Sequence, residues 1–228
     1  MNNIAQRLSE VREQIGSLAE KHGRMPDSIT LLAVSKTHSD EAIRTAAAQG
    51  QLDFGENYVQ EALEKIEKLA DFPLIWHFIG PIQSNKTRDI ATHFTWVHSL
   101  DRLKIAERLN TARPDSLDPL NICIQVNISG EKTKAGIRPG DVPAFARELT
   151  GFPRLRLRGL MTLPAPVAEV EQQRQPFRKL KALLQKLNKS GISADTLSMG
   201  TTTDLEAAIA EGATIVRVGT GIFGSRKG

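Results

Sequence analysis

The stretch Thr30-Leu31-Leu32-Ala33-Val34-Ser35-Lys36 is an apolar, strand-like run that stops at a lysine. Thr37-His38-Ser39-Asp40 follows it, and a helical pattern then begins. Parallel α/β proteins carry their chemistry at the carboxyl ends of buried strands, which is where this lysine stands. Desolvation there lowers the pKa of a lysine and leaves some free amine, the form that attacks an aldehyde. From this stretch alone, a lysine that merely begins a solvated loop is the alternative.

Short apolar runs and longer helical patterns alternate along the chain. The predicted strands are Leu31–Ser35, Leu52–Phe54, Leu74–Ile79, Trp96–His98, Ile122–Asn127, Leu155–Met161, Thr196–Ser198 and Ile215–Val218. After an amphipathic helix that begins at Ile4, the predicted helices are Asp40–Ala48, Tyr58–Ala70, Lys86–Thr92, Arg102–Asn110, Val142–Thr150, Val170–Lys189 and Leu205–Glu211. Eight strand–helix units predict an α/β fold, a single closed (β/α)8 TIM barrel across residues 1–228.

Polar residues and glycines follow the predicted strands. They are Lys36, Gly55-Glu56-Asn57, Gly80, His98-Ser99, Asn127, Met161-Thr162, Ser198-Met199-Gly200 and Gly219-Thr220. The carboxyl ends of parallel strands meet at one end of a barrel, where binding sites form. Turn chemistry alone could supply some of these residues, so the set carries more weight than any single member.

Two late segments have the composition of a phosphate-binding site. Ser198-Met199-Gly200-Thr201-Thr202-Thr203-Asp204 follows strand seven, and Gly219-Thr220-Gly221-Ile222-Phe223-Gly224 follows strand eight. Glycines let backbone N–H groups approach an anion, and threonine hydroxyls add donors. The loops after strands seven and eight commonly bind phosphate in barrels. The alternative is a pair of glycine turns with helix-capping threonines.

Arg217 lies inside the apolar strand Ile215–Val218 and must find a partner or solvent. It either points into the barrel, toward a ring nitrogen or an anion, or points outward to a helix carboxylate. With Lys36 and the two phosphate-like loops, an inward arginine describes a pyridoxal phosphate pocket. An arginine keeps its own proton and leaves the pyridine nitrogen unprotonated, which argues against efficient transamination. His77, in the middle of a predicted strand, is either a structural histidine or a base.

Composition and residue spacing argue against several classes of protein. Aromatic residues make up 5% of the 228 residues, and the net charge of +4 is dispersed, which disfavours nucleic-acid binding. The one cysteine, Cys123, is predicted to be buried. A single cysteine cannot form an internal disulfide, which fits a reducing compartment. No apolar run is long enough for a membrane span, so we expect a cytoplasmic protein without membrane contact. No metal-binding spacing is found, and we predict no metal site.

Several strings resemble the pyridoxal phosphate homeostasis protein family, also called the proline synthetase co-transcribed family. They are Ala33-Val34-Ser35-Lys36-Thr37, Phe54-Gly55-Glu56-Asn57-Tyr58-Val59-Gln60-Glu61, Trp76-His77-Phe78-Ile79-Gly80, Gln83-Ser84-Asn85-Lys86, Val126-Asn127-Ile128, Arg158-Gly159-Leu160-Met161, Ser198-Met199-Gly200 and Val216-Arg217-Val218-Gly219-Thr220. The likeness covers nearly the whole chain in order.

The resemblance implies a barrel like the N-terminal domain of alanine racemase, the fold type III arrangement, and pyridoxal phosphate held as a Schiff base. The implied cofactor-binding residues are Lys36 as the anchor, Asn57 near the ring, Arg217 at the pyridine nitrogen, and Ser198, Met199, Gly200, Thr202, Gly219 and Thr220 around the phosphate. The family is a carrier or homeostasis factor that affects vitamin B6 and amino-acid balance, and no robust reaction is attached to it.

Two departures from the family pattern affect the expected site. Relatives often have Met-Ser-x-Asp after Gly200, where this chain has Thr201-Thr202-Thr203-Asp204, so Thr202 supplies the hydroxyl. Many bacterial relatives carry a second lysine two positions after the Schiff-base lysine, where this chain has His38. We therefore expect no transfer route through a lysine at this position.

We predict a protein that is not an enzyme, which holds pyridoxal phosphate on Lys36 and releases it to client apo-enzymes. Racemases of this fold need a second, β-rich domain and a tyrosine base opposite the lysine. We expect no second domain here, and the only tyrosine, Tyr58, follows strand two. The alternatives are a slow pyridoxal phosphate-dependent amino-acid racemase, a Schiff-base aldolase acting on a phosphorylated sugar, and an interaction protein.

Lys132 and Lys134 follow strand five and could overhang the site. One hypothesis is that one of them receives or steers the cofactor during release. The alternative is two solvated loop lysines. No exposed apolar stripe stands out, so we expect a monomer.

Overall fold

Eight parallel strands close into a barrel in the computed structural model, which describes residues 4–131 and 134–224. The strands are β1 (Thr30–Val34), β2 (Asp53–Glu56), β3 (Ile75–Phe78), β4 (Trp96–Leu100), β5 (Leu120–Gln125), β6 (Leu155–Met161), β7 (Thr196–Ser198) and β8 (Ile215–Val218). The helices are α1 (Ile4–Lys21), α2 (Asp40–Ala47), α3 (Val59–Lys68), α4 (Thr87–His93), α5 (Leu103–Ala112), α6 (Val142–Leu149), α7 (Val170–Lys189), α8 (Leu205–Ala210) and α9 (Thr220–Phe223). The strands follow chain order around the barrel, and β8 pairs with β1. The predicted (β/α)8 barrel is confirmed.

The main apolar core lies between the barrel and its helices. The first helix illustrates how the sequence builds it: Ile4, Leu8, Val11, Ile15 and Ala19 are all buried. Their spacings of three and four residues place them on one side of α1. Each large aliphatic side chain buried in this way stabilises the fold by about 1.5–3 kcal/mol relative to exposure.

A polar network crosses the interior of the barrel. His98 on β4 lies 2.8 Å from Ser198 on β7, although β4 and β7 are not neighbouring strands. A hydrogen bond between them must therefore cross the inside of the barrel. His77 on β3 and Arg217 on β8 are buried in the same network. Barrel interiors are usually filled by branched apolar side chains, so this polar network marks a specialised region.

Some observed strands extend beyond their predicted ends, and β2 is an example. The second strand was predicted at Leu52–Phe54, but pairing continues through Gly55 and Glu56, which face His77 and Phe78 of β3. Glycine inside a strand usually marks a bulge or a bend, so the sequence by itself favours a strand end before Gly55. The short helix α9 was not predicted because four residues are too few to show a helical period.

Cys123 lies in β5 and is fully buried, as predicted. Burial raises the pKa of its thiol to about 12, so the thiol stays protonated and unreactive at neutral pH. Across residues 4–131 and 134–224, no helix is long and apolar enough to cross a membrane. Over the same ranges, no three His, Cys, Asp or Glu side chains cluster in a way that could hold a metal ion.

Candidate functional site

A cavity of about 270 Å³ opens at the mouth of the barrel, the end formed by the carboxyl ends of the strands. Because β1 pairs with β8, residues from both ends of the chain meet in its wall. Ile79, Met161 and Leu163 give this wall an apolar part. The wall also contains six of the nine predicted cofactor-binding residues: Lys36, Asn57, Thr202, Arg217, Gly219 and Thr220.

The other three predicted residues lie behind this wall. The Ser198 hydroxyl is buried and hydrogen-bonded to Arg217, and the Met199 side chain packs in the apolar core. The Gly200 carbonyl accepts the Arg217 backbone N–H at 3.0 Å. Gly200 has a φ of +92°, and a Cβ atom there would lie 2.4 Å from the Ala208 Cβ, so the position requires glycine. Contact between these three residues and a cofactor stays a prediction.

The turn that carries Lys36 is held from both sides by helix α3. Thr37 has a φ of 65°, a left-handed conformation that β-branched residues rarely adopt. Its backbone N–H donates to Glu61 Oε1 at 2.5 Å, and Lys65 Nζ donates to the Ser35 carbonyl at 2.9 Å. Lys65 also donates to Glu61 Oε1 at 2.5 Å. The residues before and after Lys36 are therefore tied to the same pair of charged side chains.

Glu56 completes a buried ionic group next to this turn. Its Oε1 accepts from Lys65 Nζ at 2.8 Å and from the Ser35 hydroxyl at 2.6 Å. Burial raises the pKa of the Glu56 carboxyl above its ordinary value, against the opposing charge of Lys65. Glu56 Oε2 has no hydrogen-bond partner in the described part of the chain. Ser35, Glu56, Glu61 and Lys65 form what we call the outer cluster, because they join the sheet to α3 outside the barrel.

Two loops bring hydroxyl groups together in the wall of the cavity. Thr202 follows β7 and Thr220 begins α9, and their Oγ1 atoms lie 3.5 Å apart. Asp204 holds the first loop in shape by accepting the Thr201 backbone N–H at 2.5 Å and its hydroxyl at 2.8 Å. Paired hydroxyls beside a glycine backbone are donors that suit a phosphate group. The two loops predicted to bind phosphate therefore meet in the wall of the cavity, and their contact with a phosphate group stays a prediction.

Arg217 points into the barrel, so the outward alternative is wrong. Its Nη1 donates to Ser198 Oγ at 2.7 Å and its Nη2 donates to the Thr162 carbonyl at 2.9 Å. Burial lowers the pKa of the guanidinium to about 10, which still leaves it charged at neutral pH. The cavity thus has a fixed cation on the β8 side.

Asn57 brings an unused acceptor to the cavity. Its side-chain Oδ1 is buried and has no hydrogen-bond partner among residues 4–131 and 134–224. Gly80 makes this position possible, since a Cβ atom there would lie 2.2 Å from the Asn57 carbonyl oxygen. A buried polar atom without a partner is uncommon in native proteins, and here it lies in a cavity wall that could receive a polar ligand.

Other residues singled out in the sequence have partners within the fold. The His38 ring stacks on Phe223, with ring centroids 4.9 Å apart. Lys134 Nζ donates to the Leu163 carbonyl at 3.3 Å and so joins the loops after β5 and β6. Lys132 lies outside the described residues. Both ring nitrogens of His77 have polar partners within the fold, which agrees with the structural alternative for this residue.

Sequence reasoning missed the outer cluster and the part played by His98. One signal for the cluster was present: Lys65 follows Val59 and Ala62 at spacings of three, so a lysine stands on the buried face of α3. Such a lysine needs a carboxylate, and Glu61 is four residues away on the same helix. No comparable local signal connects His98 to Ser198.

The closed parallel barrel, with a lysine after β1 and glycine–hydroxyl loops after β7 and β8, has the architecture of the alanine racemase N-terminal domain. The model of that family, "Alanine racemase, N-terminal domain", matches residues 7–227. Among curated relatives, the pyridoxal phosphate homeostasis protein of Pseudomonas aeruginosa is 57% identical over 226 residues, which cover 99% of this chain and 97% of that protein. That of Escherichia coli K12 is 50% identical over 229 residues, covering 99% and 98%. The chain belongs to the pyridoxal phosphate homeostasis protein family.

Solved structures agree with this assignment. PipY of Synechococcus elongatus PCC7942, solved without PLP, superposes with a TM-score of 0.87 at 38% identity, covering 96% of this chain and 99% of that one. The same protein solved with PLP bound gives a TM-score of 0.85 at 37% identity. Alanine racemase of Clostridium difficile 630 gives 0.78 at 16% identity and covers 98% of this chain but 58% of that one. The last likeness is one of fold alone.

Proposed function

We propose that this protein binds pyridoxal phosphate in the mouth cavity and serves in the homeostasis of that cofactor. The observation that carries the proposal is the meeting of Lys36, Arg217 and the Thr202–Thr220 hydroxyl pair in one cavity of about 270 Å³. The unused Asn57 Oδ1 in the same wall supports it. So does the likeness to PipY, which has been solved with PLP bound.

Each of these residues has a role that suits the cofactor. Pyridoxal phosphate supplies an aldehyde, and the unprotonated amine of Lys36 would add to it as a Schiff base, with loss of one water. Thr202, Gly219 and Thr220 would bind the phosphate, and Arg217 would donate toward the ring nitrogen. A guanidinium that keeps its proton leaves that nitrogen unprotonated and weakens the ring as an electron sink. These residues therefore favour holding the cofactor over reacting it.

We further propose that the protein is a carrier in the cytoplasm, acting as a monomer, which supplies the cofactor to client apo-enzymes. Racemisation needs a proton-transfer group on each face of the substrate. Tyr58 is 54% exposed, and no tyrosine lines the part of the cavity formed by described residues. A slow racemase, with His38 beside Lys36 in the cavity wall, is the second candidate.

The first test is the absorbance of the purified protein with added pyridoxal phosphate, before and after borohydride reduction, followed by peptide mapping. We expect a visible band that reduction bleaches and a pyridoxyl group on Lys36. Lys36→Ala should lose both, whereas Lys179→Ala, at an exposed position on α7, should keep both. A pyridoxyl group on a different lysine, or an unchanged Lys36→Ala protein, would refute the site.

The rate at which the protein interconverts amino-acid enantiomers distinguishes a carrier from a racemase. The loaded protein is incubated with single enantiomers of small amino acids, and chirality is followed over time. We expect turnover far below about 1 per second, the lower end of ordinary enzyme rates. Turnover near that value, lost in His38→Ala, would replace the carrier proposal with the racemase.

A further inference from the structure

A continuous chain of hydrogen bonds runs through the inside of the barrel. Arg217 Nη1 lies 2.7 Å from Ser198 Oγ, and Ser198 Oγ lies 2.8 Å from His98 Nδ1. His98 Nε2 lies 2.9 Å from His77 Nδ1, and His77 Nε2 lies 2.9 Å from Asp53 Oδ1. We call these five residues the interior column. Its four bonds link β8, β7, β4, β3 and β2.

The column connects the two ends of the barrel. Arg217 lines the mouth cavity, whereas Asp53 is the first residue of β2 and lies at the opposite end. The Asp53 side chain is 23% exposed and borders a second cavity, near Arg12 and Gln51. The three residues between them are fully or almost fully buried. The column therefore begins at a buried cation at the mouth and ends at a partly exposed carboxylate at the other end.

Counting donors and acceptors shows that all four hydrogen bonds of the column are donated in the same direction, from Arg217 toward Asp53. The Asp53 carboxylate can only accept, so a neutral His77 carries its proton on Nε2 and leaves Nδ1 as an acceptor for His98 Nε2–H. His98 Nδ1 is then also an acceptor, so Ser198 accepts from Arg217 and donates its own hydrogen to His98. In the reverse direction, a neutral His77 would turn a lone pair toward the Asp53 carboxylate. Only the forward direction satisfies every group with both rings neutral.

The surroundings agree with neutral rings. Burial lowers the pKa of His98 well below its ordinary value, and the nearby His77 and the cation of Arg217 lower it further. Burial also lowers the pKa of His77, against the opposing effect of Asp53. Cys123 and Asp204 are the other ionisable groups that act on Arg217. Trp96 stacks flat on His77 at a centroid distance of 5.5 Å, which holds that ring in plane.

We propose that the interior column positions Arg217 toward the cofactor ring, with Ser198, His98 and His77 as positioning residues. This inference rests on the proposed function, because Arg217 is the member that would face pyridoxal phosphate. It also changes the expected role of Ser198: its hydroxyl hydrogen points to His98, so Ser198 acts on the cofactor through Arg217 and not as a phosphate donor. The neutral column holds the guanidinium plane without placing another charge beside the ring.

The first test needs no cofactor. Ring ¹⁵N chemical shifts of the histidines, assigned with His77→Gln and His98→Gln variants, report the tautomer and charge of each ring in the wild-type protein. We expect both rings to be neutral at neutral pH, with the proton on Nε2. A proton on Nδ1 of either ring, or a cationic ring, would overturn the column as described. This result stands whether or not the protein binds pyridoxal phosphate.

The second test breaks the column at Ser198 and measures the bound cofactor. Ser198→Ala should release pyridoxal phosphate about tenfold faster and shift the absorbance maximum of the bound form, because Arg217 loses the acceptor that orients it. Ser198→Thr keeps the hydroxyl and should remain within about twofold of wild type. Reductive labelling should still fall on Lys36 in both variants. Unchanged release and spectrum in Ser198→Ala would refute the column, whereas absence of binding by the wild type would refute the proposed function instead.

The third test changes Asp53, at the end of the column farthest from the mouth cavity. Asp53→Asn keeps an acceptor for His77 but removes the charge, and Asp27→Asn removes a carboxylate that borders the same second cavity without a bond to the column. We expect Asp53→Asn to move the His77 ring ¹⁵N shifts and Asp27→Asn to leave them unchanged. Equal, null responses in the two variants would show that Asp53 is not part of the column.

Discussion

The outer cluster and the interior column are both buried polar networks, and they handle charge in different ways. In the outer cluster, Lys65 contacts Glu56 and Glu61 directly, at 2.8 and 2.5 Å, so three ionisable groups meet at one point. In the interior column, neutral groups separate Arg217 from Asp53. The first network ties down the backbone around Lys36, and the second orients a side chain beneath the cavity.

The difference follows from what each network has to hold. A backbone turn that includes Thr37 at a φ of 65° needs strong, short contacts to stay in a strained conformation. A donor next to a cofactor ring must be held in the right orientation, but a further charge nearby would alter the chemistry of the ring. Neutral hydrogen-bond partners orient the donor without adding such a charge. Breaking the ionic network should therefore affect stability most, whereas breaking the neutral column should affect cofactor spectra most.

The largest effect is expected from Lys65→Met, which removes the cation but keeps the length of the side chain. Glu56 would remain buried without its partner, and loss of one member of a buried ion pair costs about 3–5 kcal/mol. Urea unfolding measures the loss. Lys68→Met on the same helix removes a surface pair with Asp40 and should cost far less. Equal losses in the two variants would mean that the outer cluster contributes little.

A double variant sharpens this expectation. In Lys65→Met/Glu56→Gln the buried carboxylate is also gone, so the penalty for an unpaired charge disappears. We expect the double variant to recover more than about 1 kcal/mol of the stability that Lys65→Met loses. Additive losses, measured by the same urea unfolding, would argue against direct coupling between the two residues.

The pH dependence of stability should show the raised pKa of Glu56. Between the ordinary carboxyl pKa and the raised one, native Glu56 holds a proton that the unfolded chain has lost. Stability from this group therefore falls as pH rises through that window, and the advantage of wild type over Glu56→Gln should shrink. Asp40 provides a control of opposite sign, because hydrogen bonding from Lys68 lowers its pKa. The advantage of wild type over Asp40→Asn should grow as pH rises through the acid range.

The smallest effect is expected at Thr37. Glycine adopts a positive φ without steric cost, so Thr37→Gly should be more stable than Thr37→Ala by about 1 kcal/mol. The Glu61 contact uses the backbone N–H and is available in both variants. Thermal unfolding compares them. If alanine were as stable as glycine here, the turn would not be strained.

Much of this protein was predictable from the sequence because burial leaves local patterns. The alternation of apolar runs and helical periods predicted eight strand–helix units, and three of the strands, Leu155–Met161, Thr196–Ser198 and Ile215–Val218, have the predicted bounds. The position of Lys36 at the end of an apolar run predicted its place at the mouth. In a parallel barrel every strand points the same way, so a residue after a strand must lie at that end.

Only the tertiary structure decided which polar groups meet. His98 and Ser198 are 100 residues apart in the chain, and no spacing in either segment indicates that they bond across the barrel. The sequence also did not determine that Arg217 points inward or that Lys65 is buried against Glu56. Periodicity records which face of an element is buried, whereas the closure of the barrel determines which buried faces come into contact. For this protein, the sequence determined the barrel and the end that carries the site, and closure determined how the residues of that site are held.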